Sequence, residues 1–257
     1  MILCVDIGNT NIKFGGFKDD KLTFFASIAT NQKLTFEQYA IEIKNLLKLF
    51  DIPEKGFEGA AISSVVPAVT KNMRDAIEYV CRVTPLVVSP GIKTGLNLKA
   101  SNAVEIGADI VCGAVAIANK YPLPCVVFSL GTATTVFAVN EKKEFIGGML
   151  IPGVIASLNA LSASTAMLPA ISLDAEKPKM FTTHTVEAMT SGIIYSTASM
   201  IDGLSKRIED DFGQKSTFIL SGGLNSVFLP YLSGEFKVDD NIVLEGLLQI
   251  YKKNSKR

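Results

Sequence analysis

Residues 6–13, Asp6-Ile7-Gly8-Asn9-Thr10-Asn11-Ile12-Lys13, are the densest group of acid, amide, hydroxyl and glycine in the chain. They follow an apolar run, Ile2–Val5, and precede a second one, Ile12–Phe17. Asp6 at the end of the first run can hold Mg²⁺ directly or through water, because that ion keeps several waters and takes few protein ligands. Gly8 lets backbone N–H groups approach phosphate oxygens closely. The same residues also suit an ordinary hairpin whose Asp caps its turn. Two further groups carry chemistry. Ser221-Gly222-Gly223-Leu224 ends a short apolar run, and bare backbone there can receive a flat ring or a phosphate, or simply form a tight turn. Asp109 sits in an apolar setting, four residues after Glu105, so a helix would carry both acids on one side. Taken alone, Asp109 also reads as a helix-surface acid.

The elements that must position these groups follow from hydrophobic period and turn residues. The first three runs, separated by the 6–13 turn and by Lys18-Asp19-Asp20-Lys21, read as a β-meander. An amphipathic helix spans 34–50 and is closed by Pro53 and Gly56. A strand spans 57–66, Pro67 opens a helix to about Cys81, and 85–88 is another strand. A loop over 91–102 leads to a helix over 103–120. The first 120 residues are therefore a mixed α/β sheet.

The proline pair at Pro122 and Pro124 marks a boundary. Residues 125–151 then repeat the opening at an offset of 123, with Gly8 on Gly131, Thr10 on Ala133, Asn11 on Thr134 and no insertion. Recurrence of strand, small polar turn, strand, charged turn and strand indicates an internal duplication. Two such halves, 1–120 and 121–257, predict two similar turns facing one ligand across a cleft. The second half continues with a helix from Pro152-Gly153 to about Leu168, a Thr-capped helix from about Thr185 to Glu209, a strand over 216–220 and a closing helix over 241–254.

Composition narrows the classes. The 257 residues carry 25 basic and 25 acidic side chains, so no basic stripe points to nucleic acid. The basic end, Lys252 to Arg257, reads as a solvated helix terminus. Cys4, Cys81, Cys112 and Cys125 form no CxxC pair and His184 is the sole histidine, which favours reduced core thiols over disulfides or zinc. No signal peptide is visible, and the longest apolar stretch is too short to span a bilayer.

Read together, these motifs resemble type III pantothenate kinases, within the acetate/sugar kinase, Hsp70 and actin superfamily. The likeness runs through Asp6–Lys13, Ile62-Ser63-Ser64-Val65-Val66-Pro67, Gly107-Ala108-Asp109, Gly131–Thr135, Gly147-Gly148, Pro152-Gly153, Thr185–Gly192, Ile201-Asp202-Gly203, Ser221-Gly222-Gly223 and Leu244-Glu245-Gly246-Leu247, in order and approximate spacing. The resemblance implies an α/β fold of two duplicated ribonuclease-H-like (actin-like ATPase) domains with a nucleotide cleft between them. It also implies a cytoplasmic homodimer that uses ATP and Mg²⁺ to phosphorylate the primary hydroxyl of pantothenate, a step of coenzyme A biosynthesis. Neither nucleic acid nor membrane is implied as a partner. Carried over by position, Asp6 would organise Mg²⁺, and the 6–13 turn, Thr132, Gly222 and Gly223 would hold ATP. Asp109 would accept the hydroxyl proton, and Gly107, Ala108, Ile110 and Thr185 would line the substrate.

The departures fall at the acceptor and cation sides. After Gly107-Ala108-Asp109 the family usually has Arg, and this chain has Ile110. An Arg forks onto a carboxylate and an Ile does not. Ser129 stands where the family has the Asp that supports a monovalent cation, K⁺ or NH₄⁺. Ala100, Ala103 and the pair Thr183-His184 are also unlike the family pattern. These changes leave two alternatives open beside pantothenate kinase: a kinase for another small hydroxylated acceptor, and a nucleotide-binding homologue with a regulatory role.

Overall fold

The computed structural model describes residues 1–98, 106–173 and 178–255. The expectations placed on Ala100, Asn102, Ala103, Glu105, Lys256 and Arg257 lie outside those residues. The opening meander forms as β1 (Ile2–Ile7), β2 (Asn11–Lys18) and β3 (Lys21–Ala29). Asp19 and Asp20 take φ of 48° and 65° between the last two, as a two-residue turn matched to strand twist requires. Helix α1 (Phe36–Leu49) follows, then β4 (Gly59–Ser64), α2 (Pro67–Cys81), β5 (Leu86–Val87), a two-residue β6 (Asn97–Leu98) and α3 (Ala108–Lys120). Pro67 takes the first position of α2, and Arg82 ends that helix in the left-handed region, at φ 60°. Among the described residues, α3 starts at Ala108, later than the expected 103.

The first sheet has the order β3-β2-β1-β4-β5, with β4 parallel to β1 and to β5. Side chains alternate across β1. Leu3, Val5 and Ile7 therefore join the core formed with α1 and α2, which includes Tyr39, Ile43, Val69, Met73 and Ile77. Cys4 and Asp6 point to the opposite face. There Cys4 and Ala61 pack with Val111, Cys112 and Val115 of α3 and with Leu244, Leu247 and Ile250 of α7 (Ile242–Ser255). Each Val, Leu or Ile among them, fully buried, contributes roughly 1.5–3 kcal/mol.

The second half runs β7 (Cys125–Leu130), β8 (Ala133–Val139), β9 (Glu144–Pro152), α4 (Val154–Ala163), α5 (Thr185–Phe212), β10 (Thr217–Ser221), α6 (Asn225–Phe228), a 3₁₀ turn (Leu229–Tyr231) and β11 (Phe236–Val238). β11 was not foreseen. Neither was the absence of a Thr cap on α5. His184 holds the cap position without a side-chain bond, and Thr185 is the first helical residue. The core of this half joins Val126, Phe128, Leu130, Val136, Leu158, Ile194, Ile201, Leu220 and Phe228.

Five strands of the second half lie in the order β9-β8-β7-β10-β11, the same as β3-β2-β1-β4-β5. The β-meander with two parallel strands added beside its first strand is the ribonuclease-H-like arrangement, present twice. Register confirms the duplication in detail. β3 carries one extra residue, Thr23, against Gly16 and Phe17 of β2, and β9 carries Ile146 against Ala138 and Val139 of β8. It also corrects the alignment. Ile7 faces Ile12 across four turn residues, whereas Leu130 faces Thr134 across three. Thr134 therefore matches Ile12, not Asn11. The next turn restores the count, with Asn140 at the place of Lys18 and Glu144 at that of Lys21. A deletion in one turn and an insertion in the next cancel, which hid both in the sequence.

The chain forms two compact units, Met1–Lys120 with Asn241–Arg257, and Tyr121–Asp240. The expected second domain, 121–257, thus differs at its end, because α7 packs on α3 and on β1 and β4. Gly246 explains how closely: a Cβ there would overlap the Cys112 carbonyl oxygen of α3. Lys120 Nζ also reaches both Glu245 carboxylate oxygens, at 2.9 and 2.7 Å. Gly246→Ala should force these helices apart and destabilise the first unit by about 2 kcal/mol or more; an unchanged urea midpoint would contradict this crossing.

Candidate active site

Asp6 lies on β1 directly beside Ser63 of the parallel strand β4 and opposite Lys13 of β2. The Ser63 hydroxyl donates to Asp6 Oδ1 at 2.9 Å. Burial is the main cause that pushes the Asp6 carboxyl up to about 6, and the negative charge of Asp109 adds to it. Ser63 and Lys13 act in the opposite sense. Asp6 keeps some solvent contact, but the strand end around it is deeply packed. The structure therefore brings together Asp6 and Asp109, which stand more than 100 positions apart in the chain.

Asp109 is in the first turn of α3, where backbone N–H groups lack helical partners. The N–H groups of Asp109 and Ile110 bond its carboxylate, which lowers its pKa, while burial raises it by more. Gly107 makes room for this geometry, since a Cβ there would stand 2.5 Å from Asp109 Oδ1. Gly107 and Ala108 border a cavity of about 350 Å³ together with Ser64, Val65 and Val111. Ile110, next in the chain after Asp109, is half-buried. The Cys112 thiol, one helical turn on, feels both acids and is held neutral by burial.

The turn after Asp6 is tied at both ends. Gly8 N donates to the Asn11 carbonyl at 3.0 Å, and Thr30 Oγ1 donates to the Gly8 carbonyl at 2.7 Å. Asn9 and Thr10 are exposed at its tip. The corresponding turn of the second unit, Gly131-Thr132-Ala133, is exposed too and closed by Gly131 N to the Ala133 carbonyl at 3.2 Å. Its backbone rests on Gly153, where a Cβ would overlap the Thr132 carbonyl. Gly222 has φ 104°, and a Cβ there would overlap the Leu130 carbonyl, so this position needs glycine on two counts. Its N–H donates to Asp240 Oδ1 at 3.0 Å, while Gly223 faces open space. The turns at 131–133 and 222–223 and Gly153 therefore gather at one end of the second sheet.

Ser129 takes the place of Asp6 in the second unit. Its pairing partners are Ser221 on β10 and Thr135 on β8, the counterparts of Ser63 and Lys13. The charged set of the first unit is thus a neutral hydroxyl set in the second. Thr185 is exposed and, with Thr182, Thr183 and His184, lines a cavity of about 590 Å³ between α4 and α5. The sequence reading did not find Ser63 as a partner of Asp6. Its one signal was its place at the end of the next parallel strand.

The raised Asp6 carboxyl has a consequence for stability. The native state binds this proton more tightly than the unfolded chain, so stability falls as pH rises from about 4 to about 6, and the loss is complete above 6. At about 1.4 kcal/mol per pKa unit, the loss reaches about 3 kcal/mol at most. Asp6→Asn should therefore stabilise the first unit at pH 7.5 and change little at pH 4. Urea unfolding at the two pH values measures this, and equal effects at both would refute it.

Comparison with known proteins places this geometry. The family model for type III pantothenate kinase matches residues 2–207. A type III pantothenate kinase of Halalkalibacterium halodurans is 37% identical over 255 residues, covering 99% of this chain and all of the relative. Among solved structures, one from Campylobacter jejuni, described as a Baf family transcriptional activator, superposes with TM-score 0.59 at 18% identity over 98% of each chain. The ROK hexokinase of Thermus thermophilus superposes with TM-score 0.52 at 12% identity, again over 98% of each chain. At such identities these two likenesses carry the fold alone. The sequence matches carry more: this chain belongs to the type III pantothenate kinase family.

Proposed function

We propose that the protein transfers the γ-phosphoryl group of ATP to the primary hydroxyl of pantothenate, giving 4′-phosphopantothenate, the first step of coenzyme A biosynthesis. The observation that carries this reading beyond family membership is the convergence of Asp6 and Asp109 in partly desolvated surroundings. Phosphoryl transfer demands charge neutralisation and alignment more than covalent work by the protein, and two such acids divide those tasks.

The residues fit Mg²⁺. Two buried carboxylates, of which Asp109 raises the proton affinity of Asp6, are relieved by a divalent cation, and Mg²⁺ needs only one or two of them beside water and phosphate oxygens. Asp6 would hold the ion, directly or through water, and the bound ion neutralises phosphate charge. The 6–13 turn, from Ile7 and Gly8 through Asn9, Thr10, Asn11 and Ile12 to Lys13, and the Thr132 turn offer backbone N–H groups to phosphates. Gly222 and Gly223 offer bare backbone to the nucleotide.

Asp109 receives the proton of the pantothenate hydroxyl as that oxygen forms its new bond to phosphorus and the bond to ADP breaks. A carboxylate whose proton affinity is raised by burial is a better base for this than a free one. Gly107, Ala108, Ile110 and Thr185 would contact the acceptor. Ile110 supplies no charge to its carboxylate, which should weaken pantothenate binding relative to an Arg at that place by about 1.5–3 kcal/mol. For a monovalent cation the fit is poor: Ser129, Thr135 and Ser221 offer hydroxyls and no fixed negative charge.

The reading extends to a cytoplasmic homodimer that works on small molecules, without nucleic acid or membrane. Among the described residues, no helix is long and apolar enough to cross a membrane.

Asp109→Asn should lower kcat at least a hundredfold with an unchanged circular dichroism spectrum, in an assay of pantothenate-dependent ADP release; wild-type turnover would remove Asp109 from the mechanism. Turnover should be the same in K⁺ as in Na⁺, and a steep K⁺ requirement would show that Ser129 does not abolish the cation site.

A further inference from the structure

Ser63 is fully buried, and its hydroxyl bonds the acid proposed above to organise Mg²⁺. Its position is fixed from all sides. Asp6 and Ser63 are register partners on adjacent parallel strands. Beyond them Val65 N donates to the Ile7 carbonyl at 3.0 Å, which extends the pairing past the strand end. Ser64 Oγ accepts from Val66 N at 3.1 Å and from Thr70 Oγ1 at 2.8 Å, which locks the chain into α2. Behind the hydroxyl, Cys4 and Cys112 close the face with neutral thiols.

We propose that Ser63 is a positioning residue for the divalent cation. Its O–H engages one oxygen of Asp6 and sets the carboxylate's rotation, which leaves the second oxygen to the ion or its water. Among the described residues Ser63 is the side chain that hydrogen-bonds Asp6, so without its hydroxyl Asp6 faces the like charge of Asp109 with only Lys13 opposing it. Second-layer partners of metal-binding carboxylates typically change metal affinity by about 10–100-fold, so Ser63 should act on Mg²⁺ affinity far more than on turnover at saturating Mg²⁺. This inference rests on the proposed role of Asp6.

The test compares Ser63→Ala and Ser63→Cys with wild type, alone and combined with Asp6→Asn. Two readouts are taken. One is the Mg²⁺ concentration that half-saturates turnover, and the other is the Mg²⁺ concentration that gives half of the Mg²⁺-dependent rise in melting temperature in the presence of ADP. Ser63→Ala should raise both about tenfold or more, with kcat at saturating Mg²⁺ within about threefold of wild type. Ser63→Cys fills the same space with a weaker donor and should fall between, which separates loss of the bond from loss of packing. In the Asp6→Asn background, Ser63→Ala should add nothing to the Mg²⁺ shift. If Asp6→Asn alone leaves the Mg²⁺ readouts unchanged, the role of Asp6 is wrong and this inference falls with it. If Asp6→Asn abolishes them while both Ser63 variants keep wild-type Mg²⁺ dependence, the inference about Ser63 alone is overturned.

Discussion

Two like charges held in a partly dry place are the constraint on which the first unit turns. Asp6 and Asp109 repel each other, and burial penalises both ionised forms. The fold tolerates them through many small concessions. Ser63 donates a hydrogen bond, Lys13 stands across the strand pair, and the opening turn of α3 lends its own N–H groups to Asp109. Each concession needs a particular neighbour in a particular register. The parallel pairing of β1 with β4, the missing Cβ at Gly107 and the start of α3 at Ala108 all serve the same local electrostatics.

The duplication shows which of these features are general to the half and which are special to one copy. Strand order, the bulge in the third strand of the meander and the glycine that opens the first turn occur in both halves. The acid does not. Where the first unit has Asp6, Lys13 and Ser63, the second has Ser129, Thr135 and Ser221. The scaffold therefore accommodates a charged strand end or a neutral one without change of topology, and specialisation lies in a handful of side chains.

Much of this was legible in the sequence because it is local. Runs of Val, Ile and Phe broken by Gly-Asn-Thr or Asp-Asp turns announce a meander, and Pro67 announces α2. The Asp6 turn and Asp109 stood out by composition and by resemblance. What was not legible is non-local. No pattern in Ile62-Ser63-Ser64 tells which strand pairs with it, so the Ser63–Asp6 bond needed the parallel register. The compensating one-residue changes in the two turns left a clean offset of 123 that concealed them. The amphipathic pattern of 242–255 calls for a partner without saying which, and it went to α3, where Gly246 permits close approach. The Thr185 cap failed because the chain turns one residue earlier, at His184, with Thr182 and Glu187 bonded to each other instead.

The placement of α7 has a temporal meaning. Residues 121–240 form an uninterrupted unit that falls, along the sequence, between two segments of the other. A ribosome making this chain therefore completes the later unit before it releases the helix that covers Cys4, Ala61 and α3. The face that carries Asp6 waits, with its apolar neighbours uncovered, until residues 242–255 have been made. The part of the protein with the most exacting electrostatics is thus closed only after the unit that interrupts it in sequence.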